Sequence, residues 1–148
     1  HGLGFNYRIT DIQSALGISQ LKKLGRFVNA RNEIANWYIR NLPHQVEAVG
    51  PTRNMRSSYH LMMILLPDAK TRRSVYNILH SNHVMAQVHY IPVHYQPYYQ
   101  KLGFKPGDYP NAEMFYSRVI SLPIFPGLTQ TDVTRVCDLV EEGIQTCA

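Results

Sequence analysis

Apolar residues along this chain recur at two spacings, one suited to helices and one to strands. Behind Thr10-x-x-Gln13, which has the form of a capping box, Ile12, Ala15, Leu16 and Leu21 follow at roughly helical intervals, so a helix is expected to begin near Thr10. Gly25 predicts a break. A second helix is expected over residues 27–42, with Ala30, Ile34, Tyr38 and Leu42 on one face and Pro43 closing it. Residues 43–57 hold Pro43, Gly50 and Pro51 and read as a connection with at most a short strand at 46–49. The pattern then becomes regular: a strand over 59–66, a helix over 71–80 with Val75, Ile78 and Leu79 inward, and a strand over 84–90 with Val84, Ala86, Val88 and Tyr90 alternating. Pro92, Pro97, Gly103, Pro106 and Gly107 mark a long loop, followed by a short helix over 111–117 and a strand over 118–122 that Pro123 and Pro126 end. The last helix starts at Thr129-x-x-Asp132 and carries Val133, Val136, Cys137, Val140 and Ile144 at intervals of three and four.

This order predicts an α+β fold, a helical arm followed by a small, roughly three-stranded sheet with helices on one face. Residues 1–56 form the arm and linker, and 57–148 the small α+β domain. The arm has an apolar stripe on each helix that needs another surface to cover it.

Composition narrows the class. A chain of 148 residues with 45% hydrophobic and 17% charged residues is a globular domain, with no run of eighteen apolar residues to span a membrane and no leader pattern. A soluble protein follows. The two cysteines, Cys137 and Cys147, make no disulfide framework and fit a reducing cytoplasm. The net charge of +5 sits entirely in the first third: through Arg56 eight Lys/Arg face three acids, and the rest balances seven against seven. Such an excess attracts nucleic acid, an anionic membrane or a phosphorylated small molecule, or is simply a solvated helix face. The cations lack interleaved aromatics, which counts against nucleic acid.

Residues 87–99 are the densest polar and aromatic segment, with six Tyr and His residues and two prolines. A loop of this composition is ordered rather than disordered. Its tyrosines and histidines suit stacking on a base or sugar and hydrogen bonding to phosphate or hydroxyl groups. His89 and His94 as satisfied core residues, and the tyrosines as an oligomer interface, are the plainer alternatives. His80, His83, His89 and His94 lack the converging ligand spacing of a metal site, and no Gly-x-Ser-x-Gly, Gly-x-Gly-x-x-Gly or P-loop occurs. Asn6 and Arg8, an amide and a guanidinium just ahead of a helix start, suit an anion, or equally a structural turn.

The run Gly4-Phe5-Asn6-Tyr7-Arg8-Ile9-Thr10-Asp11-Ile12-Gln13-Ser14-Ala15-Leu16-Gly17, followed by Gln20-Leu21 and Arg31, resembles the signature of the DegT/DnrJ/EryC1/StrS sugar-nucleotide aminotransferases. Ser58-Tyr59-His60-Leu61, Val88-His89-Tyr90-Ile91-Pro92-Val93-His94, Pro110-Asn111-Ala112-Glu113 and the stretch from Ser121-Leu122-Pro123 to Thr129 match in order and spacing. Residues 87–99 with Gly107-Asp108-Tyr109-Pro110 are most similar to the pseudaminic-acid branch. The resemblance implies the carboxy-terminal small domain of a fold-type I enzyme that uses pyridoxal phosphate (PLP). Such enzymes move an amino group, typically from glutamate, to C4 of a UDP-4-keto-6-deoxy-hexosamine.

It further implies a homodimer, in which Asn6 reaches the cofactor phosphate of the other subunit, and a substrate side formed by Arg8, Gln87, His89, Tyr90 and His94. The Asp that pairs with the pyridine nitrogen and the Lys that bonds the cofactor would lie upstream, since none of Lys22, Lys23, Lys70, Lys101 and Lys105 matches the lysine motif. No catalytic residue is therefore assigned within the chain. It is expected to bind no cofactor and to be inactive by itself, or alternatively to be a standalone, non-catalytic nucleotide-sugar-binding or dimerisation module.

Overall fold

The computed structural model describes residues 4–5, 7–52 and 54–147. Two helices lead, α1 (Asp11–Leu21) and α2 (Leu24–Asn41). The strands are β1 (Glu47–Ala48), β2 (Met62–Leu65) and β3 (Val119–Leu122), and the later helices are α3 (Ala69–Ser81), α4 (Pro97–Lys101), α5 (Pro110–Arg118) and α6 (Gln130–Gln145). The strands form one antiparallel sheet in the order β1-β2-β3. The fold is the expected α+β arrangement. No described helix is long and apolar enough to cross a membrane.

The register explains the layers. Met62 stands opposite Leu122 and Ile64 opposite Ile120, so these four side chains share one face of the sheet. All four are buried with Ile34, Ala35 and Tyr38 of α2, Val75 and Leu79 of α3, and Val133, Val136 and Val140 of α6. Those helical positions recur at three and four, so each helix turns one stripe to the sheet. Each fully buried aliphatic side chain contributes roughly 1.5–3 kcal/mol, which makes this layer the main source of stability. Helices α3 and α6 approach closely at Gly143, where an added Cβ would lie 2.6 Å from Val75 Cα. Tyr38 is buried with its hydroxyl donating to the Pro123 carbonyl at 2.9 Å, which ties α2 to the chain leaving β3. Burial pushes the Cys137 thiol up to about 12, which leaves it an inert core residue.

The opposite face carries Met63 and Ser121, which are paired, and Leu65 opposite Val119. Met63 and Leu65 are only half-buried. Residues 87–99 meet the sheet here, through one bridge between Gln87 and Ser121.

Three expected elements differ. The break assigned to Gly25 falls instead at Lys22 and Lys23, and Gly25 lies in the first turn of α2 in open space. First-turn amides lack intrahelical partners in any case, so the residue interrupts nothing there. The strand expected over 84–90 is reduced to one bridge between Gln87 and Ser121, and the sheet's third strand is β1, inside the short 46–49 stretch. The segment is bent before it reaches the sheet: His83 has φ +60° and the Ala86 amide bonds back to the Val84 carbonyl. The long loop contains a 3-10 turn, Val93–Tyr95, and α4, where Pro97 opens a helix at its first position.

Candidate functional site

The segment 87–95 is anchored at two points. At the first, the Gln87 amide donates to the Ser121 carbonyl at 3.1 Å and the Ser121 amide donates to the Gln87 carbonyl at 2.8 Å. A bridged pair places both side chains on the same face, and His89, two residues on, reaches back along it. Its Nδ1 lies 2.8 Å from Ser121 Oγ. Ser121 is buried, His89 half-buried, and Gln87 exposed. Tyr90 packs edge-on against the His89 ring and is 71% exposed. This leaves an amide, an imidazole and a phenol together at the surface on a pinned backbone.

The second anchor is Glu113. His94, buried in the 3-10 turn, bonds through Nε2 to Glu113 Oε1 at 2.7 Å, and the Gly107 amide donates to the same oxygen at 2.7 Å. Gly107 has φ +96°, a conformation that favours glycine. The hydrogen bond from His94, ahead of those from Gly107, Tyr95 and Tyr109, holds the Glu113 carboxyl below the usual range. Burial first, and then Glu113, pushes the Tyr95 phenol up. One carboxylate thus joins the 3-10 turn, the turn at Gly107 and α5. Beside it opens an aromatic cavity of about 350 Å³ lined by Val93, His94, Tyr99, Phe104, Tyr109 and Ala112.

The residues expected on the substrate side are therefore only partly brought together. Gln87, His89 and Tyr90 share a surface, while His94 is turned inward to Glu113. Arg8 is exposed ahead of α1, and among the described residues no hydrogen bond or ion pair joins it to the loop. Asn6, expected at the cofactor phosphate, lies outside the described residues. Ser121 and Glu113 were not assigned from sequence. The signal for Ser121 was a polar residue inside an apolar strand, Val-Ile-Ser-Leu. Glu113 stood only within the Pro110-Asn111-Ala112-Glu113 match, without a role, because its partners depend on how the loop closes.

The described residues do not by themselves fit PLP. That cofactor needs a lysine beside its carbonyl carbon and a cradle for its phosphate. All five lysines stand exposed at the surface, and the aromatic cavity is lined without a lysine or arginine. Among the described residues no group of three or more His, Cys, Asp and Glu is arranged to hold a metal ion.

Comparison with known proteins supplies the context. The sequence profile of the DegT/DnrJ/EryC1/StrS aminotransferase family matches residues 1–141. The UDP-4-amino-4,6-dideoxy-N-acetyl-beta-L-altrosamine transaminase of Helicobacter pylori is 34% identical over 142 residues, 93% of this chain and 38% of that protein. The solved structure of Helicobacter pylori PseC, an aminotransferase involved in the biosynthesis of pseudoaminic acid, superposes with a TM-score of 0.87. The two are 32% identical, over 99% of this chain and 40% of that one. The PLP-form of a putative sugar aminotransferase from Streptococcus pneumoniae shares the fold, with a TM-score of 0.89 at 23% identity over 95% of this chain and 37% of that one. The chain spans about 38% of the length of the curated relatives it matches. By the extent of the profile match and its agreement with the fold, the chain belongs to the DegT/DnrJ/EryC1/StrS aminotransferase family.

Proposed function

We propose that this chain is the carboxy-terminal part of a PLP-dependent sugar-nucleotide aminotransferase. It would complete a site whose lysine and cofactor cradle belong to a large domain. The observation that carries this reading is the family match over residues 1–141 of a chain that is 38% of its relatives' length. In the complete enzyme PLP, held by residues of the large domain, would supply the chemistry for moving an amino group from glutamate to C4 of a UDP-4-keto-6-deoxy-hexosamine; the altrosamine transaminase relative supports this substrate class.

The residues of this chain then act on the nucleotide sugar and on the partner subunit. Gln87, His89 and Tyr90 present polar and stacking groups from the pinned segment, Arg8 supplies a cation toward the diphosphate, and His94 holds the loop in place through Glu113. Asn6 reaches the cofactor phosphate of the second subunit in a homodimer. One feature supports a further covering surface for the arm, residues 1–56: Ile12, Leu16 and Leu21 of α1 stand exposed. A cytoplasmic setting fits substrates of this kind.

By itself the chain is expected not to transaminate. Incubation with PLP followed by borohydride should fix no pyridoxyl group on any lysine; a stable adduct at a single lysine overturns this. The positive test is a chimera in which this chain replaces the matching segment of the Helicobacter pylori enzyme. Amino transfer to the UDP-4-keto sugar is expected, and a folded, PLP-loaded chimera without transfer sinks the assignment. The self-contained core of residues 57–148 with α2 favours a second reading, a binding or dimerisation module without chemistry. Saturable UDP-sugar binding by the isolated chain would favour the module, since half a pocket should bind weakly or not at all.

A further inference from the structure

We infer that Ser121 is a positioning residue that fixes the tautomer and direction of His89, so that the ring presents an Nε2–H donor to an oxyanion such as a diphosphate. This rests on the reading of His89 as a substrate-side group and adds the residue that governs it.

The argument begins with an accounting of hydrogens. A serine hydroxyl has one proton to donate, and a neutral imidazole has one N–H and one bare nitrogen. Ser121 is 4% exposed, and among the described residues its hydroxyl has only one partner, His89 Nδ1 at 2.8 Å. Were Nδ1 the protonated nitrogen, it would donate to Ser121 Oγ, and the serine proton would be left without an acceptor in a buried place. A buried unmade hydrogen bond costs roughly 1–3 kcal/mol, more than the small intrinsic difference between imidazole tautomers. The arrangement that satisfies both groups has Ser121 donating to Nδ1 and the ring proton on Nε2. Among the described residues Nε2 takes no partner, and it is not sealed from solvent.

The backbone reinforces the direction. Ser121 and Gln87 exchange both backbone hydrogen bonds, so the residue that orients the ring also holds the strand two positions before it. Ring and backbone are fixed by one residue of a rigid sheet. An N–H donor at a preset position binds an oxyanion without first freezing a rotor, which is the advantage of preorganisation.

The test uses the whole 148-residue chain labelled with nitrogen-15. Long-range proton–nitrogen correlation spectra, recorded where the imidazoles are neutral, report which ring nitrogen carries the proton, and His89→Gln assigns the signal. The wild type should show His89 as the Nε2–H form. Ser121→Ala should shift it toward a tautomer mixture, and Ser121→Thr, which keeps the hydroxyl, should restore it. Unchanged amide dispersion in Ser121→Ala separates this from unfolding. A wild-type Nδ1–H form, or an Nε2–H form untouched by Ser121→Ala, overturns the inference. Binding is read where the pocket is complete, in the chimera with the Helicobacter pylori enzyme, whose affinity for UDP should be about fivefold weaker with Ser121→Ala, the equivalent of one ordinary hydrogen bond. If the tautomer responds to Ser121 but the chimera's UDP affinity does not, Ser121 still fixes the ring, and the substrate-side reading of His89 fails.

Discussion

Helices α1 and α6 begin in the same way and end in different places. In α1 the Thr10 hydroxyl accepts from the Gln13 amide at 3.3 Å, and the Gln13 side chain accepts from the Thr10 amide at 2.9 Å. In α6 Thr129 and Asp132 make the same reciprocal pair at 3.2 and 3.0 Å. Yet α6 buries Val133, Val136, Cys137, Leu139, Val140 and Gly143, whereas α1 buries nothing and leaves Ile12 84% exposed. Capping is local, settled between two residues three positions apart. Burial needs a partner surface, and the described residues supply one to α6 alone.

If that contrast is real, matched substitutions in the two regions should diverge. The largest difference is expected at two tyrosines. Tyr38→Ala empties a fully buried site and removes the bond to Pro123, and should cost about 3–5 kcal/mol in urea unfolding. Tyr7→Ala removes a ring that is 90% exposed and should change the same midpoint by less than about 0.5 kcal/mol. Equal losses would mean that the segment ahead of α1 packs in solution.

Two glycines sharpen the comparison by giving effects of opposite sign. At Gly143 a methyl would meet Val75 Cα at 2.6 Å, so Gly143→Ala should separate α3 from α6 and cost about 1–3 kcal/mol. At Gly17, inside α1, nothing lies within 4 Å, and Gly17→Ala should favour the helix by about 0.5–1 kcal/mol. Because α1 is not coupled to the core, the gain should appear as helicity in far-ultraviolet circular dichroism rather than as a higher unfolding midpoint. A stabilised Gly143→Ala protein would overturn the close approach of the two helices.

What was legible in the sequence follows the same division. Both capping boxes, the inward stripe of α3 at Val75 and Leu79, and the whole of α6 were readable, because each signal lies within one turn or one helix period. The site was less so. Residues 87–99 stood out by composition, but the link from His89 to Ser121 crosses 32 positions and that from His94 to Glu113 crosses 19. Neither is visible until β3 pairs with Gln87 and the loop closes over α5. The alternation of 84–90 was real but too local a signal. It reported the inward turn of Val84 and Ala86, but Val88 is only half-buried and Tyr90 is 71% exposed, and it did not report whether the backbone finds a partner.

The caps themselves give the third pair. Thr129→Ala should cost about 1 kcal/mol of global stability, since α6 belongs to the cooperative core. Thr10→Ala removes an equivalent bond, but its effect should be confined to fraying of α1, read as amide exchange near the amino terminus with the unfolding midpoint unchanged.

The smallest expected difference is in pH dependence, because the two boxes are closed by different chemistry: Gln13 cannot titrate and Asp132 can. Hydrogen bonds from Thr129, the side chain first and then the backbone, hold the Asp132 carboxyl below its ordinary value of 3.8. A folded-state value below the unfolded one means that the unfolded chain takes up the proton first as pH falls. The box therefore contributes its full stabilisation above the ordinary carboxylate range and loses it as pH drops through the lowered value. Glu113, lowered chiefly by His94, and Asp68, lowered chiefly by the Thr71 amide, lose stability in the same direction, so the bare acid limb of the wild type does not isolate Asp132. The difference between wild type and Asp132→Asn does. The variant should be less stable at neutral pH, and the two unfolding midpoints should converge below the ordinary value. The stability of Gln13→Ala relative to wild type should not change across that window. A gap between wild type and Asp132→Asn that stays constant into acid would show that the α6 box is held by geometry alone, as the α1 box is.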